Sequence, residues 1–332
     1  MDKTISIIIP TYNMEAYLAK CLSSLVMDKG MERVEAIVVN DGSKDGSLAI
    51  AKDFAGKYPS TFRIIDKPNG NYGSCINAAL KVATGKYVKV LDADDSFDNG
   101  SFREFVDVLE RTDVDLVLTN KVEIMHSENR IGHLQYPEEK VFDFFQTSSM
   151  RNFKPITMHN ITYRLEMVKA MKYEQTEGIF YTDIEWAFAP MAYVEKAFYL
   201  DRPLYNYLMT REGQSVSSDV ADKHVKDEII ATIKNVNNYL NVRNKPQAVT
   251  DLLHKKLYRQ IRRLYKRIII KSPYLDGNVL ALLDEELRNK DRKMYDIIGK
   301  ETKYGLRYVK LWRKNKNSLL LKLIVKTFHY MG

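Results

Sequence analysis

Short apolar runs alternate with stretches of helical spacing through the first 120 residues of the chain. Ile5 to Pro10, Glu35 to Asn40, Phe62 to Lys67, Tyr87 to Leu91 and Asp115 to Asn120 are rich in strand formers. Between them, Glu15 to Leu25, Ser47 to Tyr58, Gly73 to Ala83 and Ser101 to Arg111 read as helices. In the second of these, Ala51, Phe54, Ala55 and Tyr58 fall at the spacing that lays one helical face on a sheet. Strands and helices in alternation predict an α/β domain with a mostly parallel sheet wrapped by helices.

Residues 121 to 216 are more mixed. The pattern predicts strands at Lys121 to His126, Thr157 to Tyr163 and Lys196 to Tyr199. A helix is expected to begin at Thr182-Asp183, because Ile184, Ala187, Phe188 and Met191 fall at i, i+3, i+4 and i+7. From about Asp219 the pattern becomes helical and basic, with breaks at Lys245-Pro246 and Ser272-Pro273. A chain of 332 residues suits two domains, here 1–216 and a C-terminal helical region 217–332.

Composition adds little until charge is located. Residues 246–332 carry 21 Lys and Arg against 8 Asp and Glu, a balance of +13, which against a total of +8 leaves the preceding residues at −5. A region so basic suits an anionic membrane face. The segment Trp312 to Phe328 interleaves Lys322 and Lys326 with seven aliphatic or aromatic positions and could lie in a membrane surface. Nucleic acid is not expected as a partner, since no nucleic-acid motif accompanies the charge. The two cysteines, Cys21 and Cys75, both fall in helical segments, which argues against a disulfide framework and for a reducing cytoplasm. The first residues lead straight into Ile5 to Pro10, too short for a signal h-region, and no stretch reaches the roughly 18 apolar residues of a membrane span.

Candidate chemistry gathers where strands end. The acidic run Asp92-Ala93-Asp94-Asp95 follows an apolar strand, the place where open α/β sheets bind ligands. Carboxylates at i and i+2 can share a Mg²⁺ or Mn²⁺ that also holds a diphosphate, although a solvated turn has the same composition. The first strand ends in Pro10-Thr11-Tyr12-Asn13 and the second in Asn40-Asp41-Gly42-Ser43, so a parallel sheet brings three strand ends to one cleft. Tyr12 offers a flat face for a base and Asp41 an acceptor for an imide or ribose hydrogen. Asp41-Gly42-Ser43 also reads as a turn before a helix.

In order and at the usual spacing, Ser6–Asn13, Val38–Ser43, Ala83–Val88 and Leu91–Asp95 resemble the motif series of family 2 glycosyltransferases over roughly residues 1–216. The resemblance implies a GT-A-type, Rossmann-like, mostly parallel sheet, an inverting mechanism, and a bound Mn²⁺ or Mg²⁺. It implies that Thr11, Tyr12 and Asp41 hold the nucleoside, that Asp92 approaches the ribose or the metal, and that Asp94 ligates the metal on the diphosphate. Asp95 would face donor sugar or acceptor. The Gly-rich segment Asn69 to Asn77 departs from the common family form, with Ile76 in place of an Arg, and leaves Asn77 as a phosphate or sugar contact or Gly73-Ser74 as a plain helix start. Tyr181-Thr182-Asp183-Ile184-Glu185-Trp186 matches the place of the family's base and makes Asp183 the base, kept ionised at a helix N-terminus. Pro203 to Tyr207 and Gly213 to Ser217 resemble the closing loop, with Leu208 where an Arg is usual, Arg211 near enough to substitute, and Ser215 and Ser217 facing the acceptor or diphosphate. His159 and Arg164 flank an expected strand that could face the acceptor, although both read first as structural. The donor implied is a UDP-sugar, the acceptor a glycan or lipid-linked glycan in bacterial polysaccharide synthesis, and the setting the cytoplasmic side of the membrane. Two rivals remain at this point: a sugar nucleotidyltransferase, which would carry a basic Gly-rich loop absent after Ile9, and a non-catalytic nucleotide-sugar-binding scaffold.

Overall fold

The computed structural model of the chain describes residues 3–126, 128–149, 155–209, 218–271, 277–303 and 305–316, with Leu323 and Thr327. The chain divides into two compact units, Met1–Glu212 and Gly213–Gly332.

In the first unit the apolar runs form β1 (Ile5–Thr11), β2 (Val34–Asp41), β3 (Phe62–Lys67) and β4 (Tyr87–Val90). They are followed by β5 (Ser96–Phe97), β6 (Leu116–Ile124), β7 (Arg130–Gly132), β8 (Val141–Asp143), β9 (Ile161–Arg164) and β10 (Lys196–Leu208). Helices α1 (Glu15–Ser23), α2 (Ser47–Lys57), α3 (Asn71–Val82) and α4 (Asn99–Arg111) lie between the early strands. They precede α5 (Phe144–Ser149), α6 (Leu165–Ala170) and the one-turn α7 (Asp183–Trp186). Among the described residues the sheet runs β3-β2-β1-β4-β9-β6-β10-β5, with β7 and β8 paired to β6 and β10. β1 pairs parallel with β2 and β4, β2 with β3, and β6 with β10. The expected mostly parallel sheet flanked by helices is present. β2 is buried at every position, as a strand covered on both faces must be.

Three elements depart from the sequence reading. β9 is inserted antiparallel between β4 and β6, so the fourth and fifth expected strands are not neighbours. It starts late because Met158–Asn160 forms a 3₁₀ turn. β10 continues well past Tyr199, crossing Pro203 by two register shifts, which spare the ladder the N–H that proline lacks. Pro203 to Tyr207, read as loop, is therefore strand. The helix at Asp183 stops at Trp186; Pro190 cannot extend it, and Ala187, Phe188 and Met191 reach the core from turns.

The motif around Gly85 has a structural explanation at the opposite end of the sheet from the cleft. Buried Glu35 accepts from Ser6 Oγ and from the Thr84 N–H, while Gly85 N–H donates to Ser6 Oγ at 2.9 Å. A Cβ on Gly85 would lie 2.4 Å from the Ser6 nitrogen, so the crossing tolerates no side chain.

The second unit is helical: α8 (Ser218–Lys223), α9 (Val225–Asn241), α10 (Gln247–Lys266), α11 (Ala281–Lys290), α12 (Arg292–Gly299) and α13 (Tyr308–Lys314). Pro246 separates α9 from α10; the Ser272-Pro273 break lies outside the described residues. Leu253, Leu257, Ile261 and Leu264 form the buried stripe of α10. Asp284 accepts from Tyr265 Oη at 2.8 Å and from Arg313 Nε at 2.9 Å, joining α10, α11 and α13. Among the described residues no helix is long and apolar enough to cross a membrane. Most of Trp312 to Phe328 lies outside them.

Candidate active site

The loops after β1 and β2 lock together. Asn13, at φ 53°, donates its N–H to Ser43 Oγ and accepts from the Lys44 N–H through Oδ1, 2.8 Å away. Met14 N–H donates to Ser47 Oγ, and Glu15 N–H to Asp45 Oδ2. Burial would raise the Asp45 carboxyl, but hydrogen bonds from Ser47 and the Glu15 N–H hold it below the usual range. Asp45 thus serves the start of α1 and α2 together. Between these loops Tyr12 stands 48% exposed, with its ring available for stacking. Thr11 is buried, and its hydroxyl donates to the Ile9 carbonyl, so its side chain is turned into the strand.

Asp41 closes β2 and is 2% exposed. Its Oδ1 accepts from Lys67 Nζ at 2.7 Å and from the Gly70 N–H at 2.9 Å, and Asn69 Nδ2 donates to its carbonyl. Lys67 also donates to Ser74 Oγ at 2.8 Å, fastening β3 to α3. Sequence reading missed Lys67, whose strand-end position was its only signal.

The acidic run emerges beyond β4. Asp92 Oδ1 accepts from Tyr72 Oη at 2.8 Å, and its N–H donates to Tyr205 Oη. Asp95 is 3% exposed and accepts from Tyr205 Oη and the Leu208 N–H, each at 2.8 Å. Asp95 is thereby tied to β10 rather than turned outward to donor sugar or acceptor. Burial, then repulsion from Asp92 and Asp94, pushes its carboxyl well above the usual range. Asp94 sits in the turn between them, partly exposed.

Beneath the run, Lys89 on β4 is fully buried and donates to the carbonyls of His159 and Ile161 at 2.8 and 3.1 Å. Burial pulls its ammonium down to about 7. The His159 ring packs against Tyr205 and Tyr207, with centroids 4.8 and 4.4 Å away. Burial, aided by Lys121 and Lys89, lowers its pKa well below the usual value. Asp92, Asp95 and His159 offer ligand atoms that all lie within 4.8 Å of one another. Acidic groups crowded at low dielectric with an imidazole beside them are a donor set that fits a divalent cation. Neither His159 nor Lys89 was singled out for this from the sequence, because β9 reaches β4 only through the fold.

Asp183 begins α7 behind Thr182, whose hydroxyl accepts from Gln175 Nε2 at 2.9 Å. The Gln175 segment is docked on α3. Asn77 accepts from the Gln175 N–H and donates to the Gln175 carbonyl and Glu177, all at 2.9 Å. Asn77, expected at a phosphate or sugar, spends its amide on this loop. A Cβ on Gly73 would lie 1.9 Å from the Thr176 carbonyl oxygen, so Gly73 is where the two backbones meet. Tyr181, at φ 63°, turns the chain into the helix. The Tyr72 phenol is pushed well up, by burial first and then by the charges of Asp92 and Asp183. Tyr207 is raised likewise by burial and then by Asp95, Asp92, Asp183 and Asp94. Arg211, Ser215 and Ser217 lie outside the described residues.

Comparison with known proteins accords with this geometry. Residues 6–173 match the sequence profile described as glycosyl transferase family 2. The minor teichoic acid biosynthesis protein GgaB of Bacillus subtilis is 35% identical over 130 residues, which cover 38% of this chain and 14% of GgaB. Among solved structures, residues 1–349 of S. aureus TarS, in complex with UDP-GlcNAc, align over 95% of this chain and 93% of that one at 16% identity and a TM-score of 0.57. The mannosyltransferase PcManGT of Pyrobaculum calidifontis, in complex with GDP-Man and Mn²⁺, aligns over 100% of this chain and 84% of that one at 15% identity and a TM-score of 0.51. The fold is that of the GT-A glycosyltransferases, and the chain belongs to glycosyltransferase family 2.

Proposed function

We propose that the chain is an inverting glycosyltransferase that moves a sugar from a nucleoside diphosphate, specifically UDP, to a hydroxyl of a glycan or lipid-linked glycan in bacterial polysaccharide assembly. The observation that carries this reading is the acidic run beyond β4 of a family 2 fold, where Asp92 accepts from Tyr72 Oη at 2.8 Å beside Asp94 and Asp95. The teichoic acid role in GgaB's name and the UDP-GlcNAc complex of TarS support the substrate classes.

Tyr12 stacks on the base, and Asp41, fixed through one oxygen by Lys67 and Gly70, accepts the imide or ribose hydrogen. Asp92 and Asp94 flank the diphosphate and would hold a Mn²⁺ or Mg²⁺, which neutralises charge on the leaving group. Asp183, at the start of α7, takes the acceptor hydroxyl's proton as the sugar's anomeric carbon inverts. Residues 217–332 form the acceptor or membrane-associating region, and their basic balance supports docking on the anionic inner face of the cytoplasmic membrane.

UDP release from a panel of UDP-sugars in Mn²⁺ tests the reading. Asp183→Ala is expected to keep donor binding by calorimetry while UDP release falls about 10²- to 10⁴-fold. Full activity in Asp183→Ala removes it as the base; a retained anomeric configuration in the product, read by NMR, rejects inversion.

A further inference from the structure

Tyr72 and Tyr205 spend their hydroxyls on the acidic run, Tyr72 Oη donating to Asp92 and Tyr205 Oη to Asp95, each at 2.8 Å. Tyr207 does not. It is half-buried, and among the described residues its hydroxyl meets no hydrogen-bond partner and is not sealed from solvent. The ring is nevertheless held. Its centroid lies 4.4 Å from that of the His159 ring and 5.1 Å from Lys121 Nζ. Next to it, the Leu208 N–H donates to Asp95 Oδ1 at 2.8 Å, and the parallel register with β6 sets Tyr207 beside Glu123. A fixed aromatic body with an uncommitted polar end is the form of side chain that orients a ligand in a cleft.

Topology puts this hydroxyl away from the nucleoside. β1 and β2, whose ends are proposed for the base and ribose, lie on one side of β4, and β10 lies on the other, beyond β9 and β6. A phenol at neutral pH keeps its proton and can donate it. Burial, then the charges of Asp95, Asp92, Asp183 and Asp94, raise this one further. Lys121 is committed to Glu123 at 2.9 Å, so these surroundings disfavour an anion and suit an uncharged oxygen. Resting on the glycosyl-transfer reading above, we infer that Tyr207 Oη binds the acceptor, an uncharged sugar or polyol at this position, by donating a hydrogen bond to the oxygen adjacent to the attacking hydroxyl. The attacking oxygen needs its lone pair for the anomeric carbon while Asp183 takes its proton, so the phenol belongs on its neighbour. The acceptor class is then one with vicinal oxygens.

Transfer from a panel of UDP-sugars to methyl hexopyranosides and their monodeoxy analogues, by the full chain and by Tyr207→Phe, tests the assignment. Tyr207→Phe is expected to keep the wild-type affinity for UDP by calorimetry and to lose about 3- to 10-fold in kcat/KM for the parent glycoside. The wild-type chain is expected to disfavour one monodeoxy analogue by a similar factor, and Tyr207→Phe to lose that preference, a pairing that a merely structural role would not produce. Unchanged kcat/KM in Tyr207→Phe overturns the inference. So does an equal loss with the parent and every deoxy analogue, or a weakened affinity for UDP, which would move Tyr207 to the donor. UDP release without transfer to any of these glycosides removes the acceptor class alone; no UDP release from any UDP-sugar removes the glycosyl-transfer reading with it.

Discussion

Cys75 illustrates how the cleft sets the chemistry of single residues. It lies on α3 close to Asp41, and burial, followed by that carboxylate, pushes its thiol up to about 12. Cys21 is raised too, by burial and then by Asp95, Asp94 and Asp92. A folded pKa above the unfolded value gives stability that is complete below about pH 8.5 and is lost as pH climbs toward 12. Both thiols are then protonated and buried at pH 8, and thiol titration should find neither until denaturant is added. Rapid native labelling would show the α1 and α3 faces to be open. Asp41, Asp92 and Asp183 were legible in the sequence because each follows a recognisable strand or motif. Lys67, Tyr72, Lys89 and His159 were not, because their value lies in partners distant in sequence, such as the 70 positions between Lys89 and His159.

At the scale of elements, the approach of α3 to the segment before Asp183 controls the geometry of the proposed base. Gly73 allows it, Asn77 bonds it, and the Gly178 N–H donates to the Gly70 carbonyl at 2.9 Å. Gly73→Ala must push the Thr176 carbonyl away. The expected cost is about 1–3 kcal/mol of stability by urea denaturation, and a loss of turnover of about 10²-fold from misplacement of Asp183. Unchanged turnover would mean that the loop's position does not govern the base. β1 to β4 and α1 to α4 were readable because their local patterns agree with their burial. β9 was not placed by pattern, since antiparallel insertion is decided by tertiary pairing with β4 and β6. Tyr205 and Tyr207 were assigned to a loop on the resemblance of Pro203 to Tyr207 to the family's closing loop; the register shifts that carry β10 past Pro203 leave no local signal.

For the molecule as a whole, charge asymmetry is the property with an immediate physical consequence. The +13 carried by residues 246–332 leads us to expect binding to vesicles containing anionic lipid, weakening as salt rises, with little binding to neutral phosphatidylcholine. Equal co-sedimentation with neutral vesicles would discard the electrostatic part of this proposal. The division into two units at residue 212 and the family membership rest on separate grounds, since the profile match ends at residue 173. The central claim is a metal-dependent nucleoside diphosphate site at Asp41, Asp92 and Asp94. Its most direct test is calorimetric titration of UDP into the wild-type chain and Asp94→Ala, each with Mn²⁺ and with chelator. We predict binding to the wild-type chain that needs Mn²⁺ and is lost in Asp94→Ala; Mn²⁺-dependent binding that is unchanged by Asp94→Ala, or no binding to the wild-type chain at all, would contradict it.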